Sequence, residues 1–228
     1  MSSDEADYPV DAPGWVAIDR ACLAAHPEQV PHQFTSNRAY DLEGTSPLPA
    51  ISVWEAEHPT HWHYVGYGLS ELFEKTSPVP TISGLGYELC LRLPRAPDED
   101  TPPAWPLRLL QGVALYAMSG HREIETGDVI DLGGPITGEE VPTELRGIVL
   151  VPDPLGKIPT PHGSVLFLLV IGLAADEVEL LHRLDPQRRV GLVREAARDG
   201  LTHPDRQPWT KDPRTQAMVR RYQLGILI

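Results

Sequence analysis

Proline recurs along this chain in short clusters, at Pro47 to Pro49, Pro78 to Pro80, Pro97 to Pro106 and Pro152 to Pro161. Proline lacks an amide proton and fixes φ, so each cluster ends the helix or strand that reaches it. With 24 prolines and 19 glycines dispersed over 228 residues, the chain predicts many short elements joined by stiff turns and argues against a helical bundle. No internal repeat or low-complexity tract stands out.

Between the breaks the apolar spacing alternates between helix and strand periods. Trp15, Ile18, Cys22 and Ala25 recur every three or four residues before Pro27, which predicts a helix over 14–25. The stretch 31–49 reads as irregular. Ala50 to Glu57 and His61 to Tyr67 read as strands flanking the turn His58-Pro59-Thr60, a hairpin pattern. A loop follows over 70–80. From Gly86 to Leu93, Tyr87, Leu89, Leu91 and Leu93 share one face and Glu88, Cys90 and Arg92 the other, the period of a strand. Leu109, Leu110, Val113, Ala114 and Ala117 stripe a helix from Ala104 to Met118, with Gly120 suited to its end. Short strands are predicted at 128–132 and 145–151, and the apolar run 164–173 reads as a strand buried on both faces. Helices are expected over 174–183 and 190–198. Asp212 reads as an N-cap with Pro213 in the first turn of a last helix over 214–222. The class is α/β (α+β): a single domain, 1–228, with a mixed β-sheet flanked by helices.

Charge and cysteine usage narrow the partners. Nineteen Lys and Arg against 32 Asp and Glu leave a net −13, which repels nucleic-acid phosphates and anionic lipid heads, and no Lys/Arg-rich run offsets it. A basic protein partner suits such a surface. Cys22 and Cys90 form no CxxC and no disulfide framework. The acidic start Met1 to Asp7 lacks a signal-peptide pattern, and the longest apolar run, 165–175, is too short to span a bilayer. A cytoplasmic protein is the expectation.

Two histidines alternate at His61 and His63, with His58 nearby. Imidazoles at i and i+2 on a strand share a face and can ligate a transition metal. Cupin-type sites follow such a pair closely with a carboxylate and later with another histidine. Here the next carboxylate is Glu71, beyond a glycine-rich turn, and His162 is the only later candidate in context. That spacing does not fit, so a metal-dependent enzyme on His61 and His63 is the alternative, and packed, hydrogen-bonded rings are the leading reading. A nucleophile is no better supported: there is no G-x-S-x-G elbow, Ser70 lacks the second glycine, and Cys90 lies mid-strand. The carboxylate groups Asp98-Glu99-Asp100 and Glu139-Glu140 sit in loops, and no P-loop or complete GxGxxG is present. No catalytic residues and no cofactor are predicted.

One set of blocks carries more. His61-Trp62-His63-Tyr64-Val65-Gly66-Tyr67-Gly68-Leu69-Ser70-Glu71-Leu72 is followed by Ser83-Gly84-Leu85-Gly86-Tyr87-Glu88-Leu89. Then come Pro102-Pro103-Ala104-Trp105-Pro106, Leu110-Gln111-Gly112 with Tyr116, and Thr126-Gly127-Asp128-Val129-Ile130. Asp153-Pro154, Thr160-Pro161-His162-Gly163-Ser164-Val165 and Asp212-Pro213 complete the order. In this order, over about 50–220, the chain resembles the Suppressor of fused family. The resemblance implies one α/β domain of a stand-alone bacterial form and a non-catalytic function in protein binding. It implies an immunity protein neutralising a polymorphic toxin, or a regulator sequestering a protein by gripping an extended peptide segment. It also implies that Tyr116 and Asp128 contact the partner.

Overall fold

The computed structural model describes residues 12–35, 47–120, 123–138 and 140–225. The acidic start, Glu139 and most of the stretch read as irregular lie outside the described residues. Helix α1 (Pro13–Ala25) is followed by β1 (His32–Thr35), β2 (Ala50–Ala56), β3 (His61–Tyr67) and β4 (Ile82–Pro94). Next come α2 (Trp105–Met118), β5 (Val129–Asp131), β6 (Leu145–Thr160) and β7 (Gly163–Ala174). Helices α3 (Ala175–His182), α4 (Pro186–Ala196) and α5 (Pro213–Gln223) close the chain. The strands form one sheet in the order β1-β2-β3-β4-β7-β6-β5. Its pairs are antiparallel except β4 with β7, so the sheet is mixed, as the sequence predicts.

Period-two alternation sorts the strand side chains into two cores. On one face Ile51, Val53, Trp62, Tyr64, Leu89, Leu91, Leu168 and Val170 pack with Leu110, Val113 and Ala114 of α2. On the other, Ala50, Trp54, Val65, Tyr67, Phe167, Leu169 and Ile171 pack under α1, α3, α4 and α5. Helices therefore cover both faces, which explains why the central strands are buried throughout. The tight turn into the next loop depends on Gly68, whose φ is +134° and where a Cβ would lie 2.5 Å from Pro49 Cδ. Gly66 lies within β3, close under Leu48.

Several boundaries differ from expectation, among them the start of β4 at Ile82 rather than 86. β1 is a four-residue strand paired with β2, too short for its period to show. β6 continues past Pro152, Pro154 and Pro159 because β5 pairs only with residues 147–149. Beyond that point β6 has β7 on one side only, and a missing proline amide is tolerated along such an edge. α4 begins at Pro186 rather than 190, because the Asp185 side chain accepts from the Arg188 amide at 3.0 Å.

Glu177 ties the C-terminal segment to the sheet. Fully buried at the start of α3, it accepts from the Ala174 amide at 2.7 Å, the Trp209 amide at 2.6 Å and Arg206 Nη1 at 2.7 Å. A buried carboxylate with this many donors is stable only while they remain, and the donors are stranded without it. Glu177→Ala is expected to cost about 3–5 kcal/mol in urea unfolding. A loss below about 1 kcal/mol would show that residues 200–209 hold their place by other means.

Candidate functional site

Two arrangements of polar residues can bear on function: a buried centre under the α1 side of the sheet, and the edge at β5, opposite the other edge strand β1. The buried centre grows from the strand alternation. His61 and His63 do share a face of β3, with Val65 and Tyr67, as expected. In register beside them, β4 turns Glu88, Cys90 and Arg92 to the same side, and β6 adds Asp153. Arg92 holds Asp153 bidentately, Nε to Oδ2 at 2.9 Å and Nη2 to Oδ1 at 3.0 Å. His63 Nε2 stands 3.6 Å from Asp153 Oδ2, and its Nδ1 lies 2.9 Å from His26 Nε2 at the end of α1. The His61 ring is held elsewhere, with Nδ1 2.6 Å from the Pro59 carbonyl.

The donor atoms that a metal needs therefore gather around His63, not around the pair His61 and His63. His63, Cys90 and Asp153 each offer a ligand atom within 4.8 Å of the others. The two later ligand candidates are engaged away from it. Glu71 accepts from the Gly84 amide and Lys75 Nζ, and His162 Nε2 lies 3.0 Å from the Phe73 carbonyl. At the gathered site the carboxylate is already spent on Arg92, whose guanidinium an incoming cation would face. Burial pushes the Cys90 thiol well above its usual range. His63 and Asp153 are wholly enclosed, with side chains 0% exposed, so no open position faces solvent, as a catalytic metal requires. The arrangement is chemically an ion-pair and imidazole network that holds β3, β4 and β6 together.

Burial also sets the pH response. It holds His26 down to about 4 and His63 well below 6.5, with Arg92 adding repulsion to each; His61 is lowered as well. Unfolded imidazoles take up protons near 6.5 and the folded ones refuse them, so stability is full above that pH and falls as the solution is acidified towards 4. Glu88 runs the other way. Burial pushes it up to about 7 against hydrogen bonds from Ser70 Oγ and the amides of Gly68, Leu69 and Ser70. Its contribution is lost as pH rises from 4.5 to about 7. Three histidines oppose one glutamate, so urea midpoints are expected to fall between pH 6.5 and 4.5. Glu88→Gln should steepen that fall, and His26→Gln should flatten it, by about 1.4 kcal/mol per pH unit each.

The sheet edge is built differently. β5 pairs with β6 alone, and no other described strand covers its outer side. Leu150 donates to the Asp128 carbonyl and Leu132 to the Arg146 carbonyl, both at 3.0 Å. Alternation then turns the backbone groups of Val129 and Asp131 outward. The entry to this edge is locked. Asp128 Oδ2 accepts from the Glu125 amide at 2.8 Å, and Gly127, at φ +89°, leaves no room for a Cβ against the Pro186 carbonyl, 2.8 Å away. Arg189 Nη1 of α4 donates to the Gly127 carbonyl at 3.1 Å.

Of the two residues that the resemblance implicates, Asp128 is buried at this turn and Tyr116 is exposed near the end of α2. Leu115 and Met118, also exposed, adjoin Tyr116. Ala117, between them, shares a core cluster with Ile124 and Ile136, which bracket β5 in sequence. What the sequence did not reveal is that β5 lies at the edge of the sheet, since strand order depends on pairings far apart in the chain. The Arg92–Asp153–His63 network was missed as well, although a charged residue on a strand destined for burial demands a partner.

Together these features define an α+β module with an enclosed polar centre and an open strand edge. A family model for Suppressor of fused protein (SUFU) matches residues 44–207. The chain belongs to the Suppressor of fused family. It is 32% identical over 194 residues to Suppressor of fused homolog of Homo sapiens, covering 79% of this chain and 40% of that protein. The mouse homolog gives the same identity and coverage. The chain thus spans about two fifths of the length of these relatives. The crystal structure of Drosophila Suppressor of Fused superposes with a TM-score of 0.82 at 28% identity, covering 92% of this chain and 54% of that one. The Sufu-Fu complex structure superposes at 0.81 with 27% identity, covering 96% and 98%. A SUFU homolog from Neisseria gonorrhoeae, at 16% identity and a TM-score of 0.57, covering 86% of this chain and 96% of that one, shares the fold.

Proposed function

We propose that this chain is a non-catalytic protein-binding module that takes an extended partner segment along β5, beside Tyr116 and Asp128. The open edge carries this reading. Outward amides and carbonyls at Val129 and Asp131 offer main-chain hydrogen bonds, and the exposed Leu115, Tyr116 and Met118 supply apolar contact. A relative of the same fold, Sufu, forms a complex with Fu, which supports binding as the family's use of this scaffold. The enclosed centre supports it too, because it leaves no substrate a path to the histidines.

Asp128 would act mainly through position. Its carboxylate caps the turn that aims β5, so replacing it with arginine would disturb that turn as well as the charge. For the finer role we favour an immunity protein that neutralises a basic toxin domain. The net −13 supports that choice by favouring rapid encounter with a cationic partner. Sequestering a regulatory protein would use the same edge.

The test begins with peptides selected on the immobilised chain from a displayed library. Tyr116→Ala is expected to weaken an edge-binding segment about tenfold or more, a loss of about 1–3 kcal/mol, without lowering thermal stability. Asp128→Asn, which keeps an acceptor for the Glu125 amide, should weaken cationic segments and spare neutral ones. Unchanged affinity in both variants would remove β5 and α2 as the binding face. For the immunity role, co-expression with a toxin encoded next to this chain should rescue growth, and failure to rescue would refute it.

A further inference from the structure

The acidity of the chain is unevenly distributed. Residues 183–228 carry ten Lys and Arg against five Asp and Glu, a net +5. Residues 1–182 carry nine against 27, a net −18. The fold gathers part of the basic segment around one cleft of about 740 Å³, between the end of α4, the loop after it and α5. Leu201, Trp209 and Met218 line it with apolar surface, and Arg198, Arg206, Arg214 and Arg221 outnumber the carboxylates Glu195 and Asp199 among its charged residues.

Three of the guanidinium groups in this cleft are preset by acidic partners. Arg206 is held by buried Glu177 and lies over the Trp209 ring, 4.2 Å from its centroid. Arg221 is paired with Glu195, and Arg214 with Asp212 at 2.8 Å. Arg206 spends its terminal N–H donors on Glu177 and the Gln207 and Gly172 carbonyls, whereas Arg214 and Arg221, each with five N–H donors, retain some for a ligand. The Arg214 side chain is 89% exposed, and a pair so exposed exchanges partners at little cost. Arg198 is exposed and has no carboxylate at ion-pair distance among the described residues.

We propose that this cleft binds an acidic peptide segment: an extended stretch of a partner protein with Asp and Glu flanking one apolar side chain. Guanidinium forks match carboxylates in geometry as well as charge. The Trp209–Leu201–Met218 surface accounts for the apolar side chain. A peptide is favoured over a nucleic acid by the remainder of the molecule. A long polyanion would extend from the cleft onto the acidic remainder of the chain and be repelled, whereas a short segment stays within about one screening length of roughly 8 Å. This surface is separate from the β5 edge and opposite to the body in charge, so the chain would hold two unlike partners or two unlike parts of one.

The test uses a fluorescein-labelled peptide of about a dozen residues, Asp and Glu around a single Leu. Fluorescence anisotropy should show saturable binding that weakens with added salt, and Trp209 emission should shift. The double variant Arg198→Glu/Arg214→Glu should lose about tenfold or more in affinity with an unchanged circular dichroism spectrum. Arg198→Gln/Arg214→Gln, milder at the surface, should lose less. Tyr116→Ala should bind the acidic peptide like the parent chain, so this site and the β5 reading stand or fall separately. No binding, or equal binding by the double variant, would overturn the proposal. So would equal affinity for an oligonucleotide of matched charge, or self-association that the same variant abolishes, since either assigns the cleft to another occupant.

Discussion

The ion pair between Arg92 and Asp153 is the constraint on which the arrangement depends. It joins β4 to β6 on the α1 side of the sheet, and His63 of β3 leans on the same carboxylate. Between β4 and β6 lies β7, which pairs parallel with β4 and antiparallel with β6. A buried pair of this kind contributes little net stability over an apolar substitute, but losing one partner costs about 3–5 kcal/mol. We read its role as specification. A register slip of β4 by one residue would carry Arg92 to the other core and strand Asp153. The same carboxylate orders the proline-rich stretch beyond it by accepting from the Leu155 amide at 2.7 Å.

That central lock leaves the periphery free for binding. One edge of the sheet is β5, a three-residue strand fixed from behind by Gly127, Asp128 and Arg189 of α4; the other edge is β1. A short strand so braced resists fraying, and no described strand pairs with its outward row of backbone groups. At the α4–α5 end Arg206, Arg214 and Arg221 stand in ion pairs, the first of them with the Glu177 anchor. Rigid placement lowers the entropy a partner must meet on binding.

Much of the fold was legible because local signals agreed. Alternation at 86–93 placed Tyr87, Leu89, Leu91 and Leu93 on one core face, and the structure puts them there. Asp212-Pro213 announced α5, whereas the equivalent Asp185-Pro186 start of α4 was passed over because the apolar spacing begins only at Val190. The extension of β6 through three prolines was illegible, since tolerance for a missing amide depends on whether a neighbouring strand is present. The sites were harder to read for the same reason. His63, Cys90 and Asp153 meet through strand pairings, not through spacing, and the metal-like pair His61 and His63 proved to point its rings at different partners. The opposite charge of the last 46 residues was present in the sequence but hidden by averaging over the whole chain.

Amide hydrogen exchange across a complex addresses the account most directly. The chain would be labelled alone and with an extended segment selected for binding in the presence of excess acidic peptide, which keeps the α4–α5 cleft filled. The account predicts slowed exchange at the outward amides of Val129 and Asp131, with the inward amide of Leu132 little altered. Protection confined to other elements, with β5 exchanging as in the free chain, would contradict it.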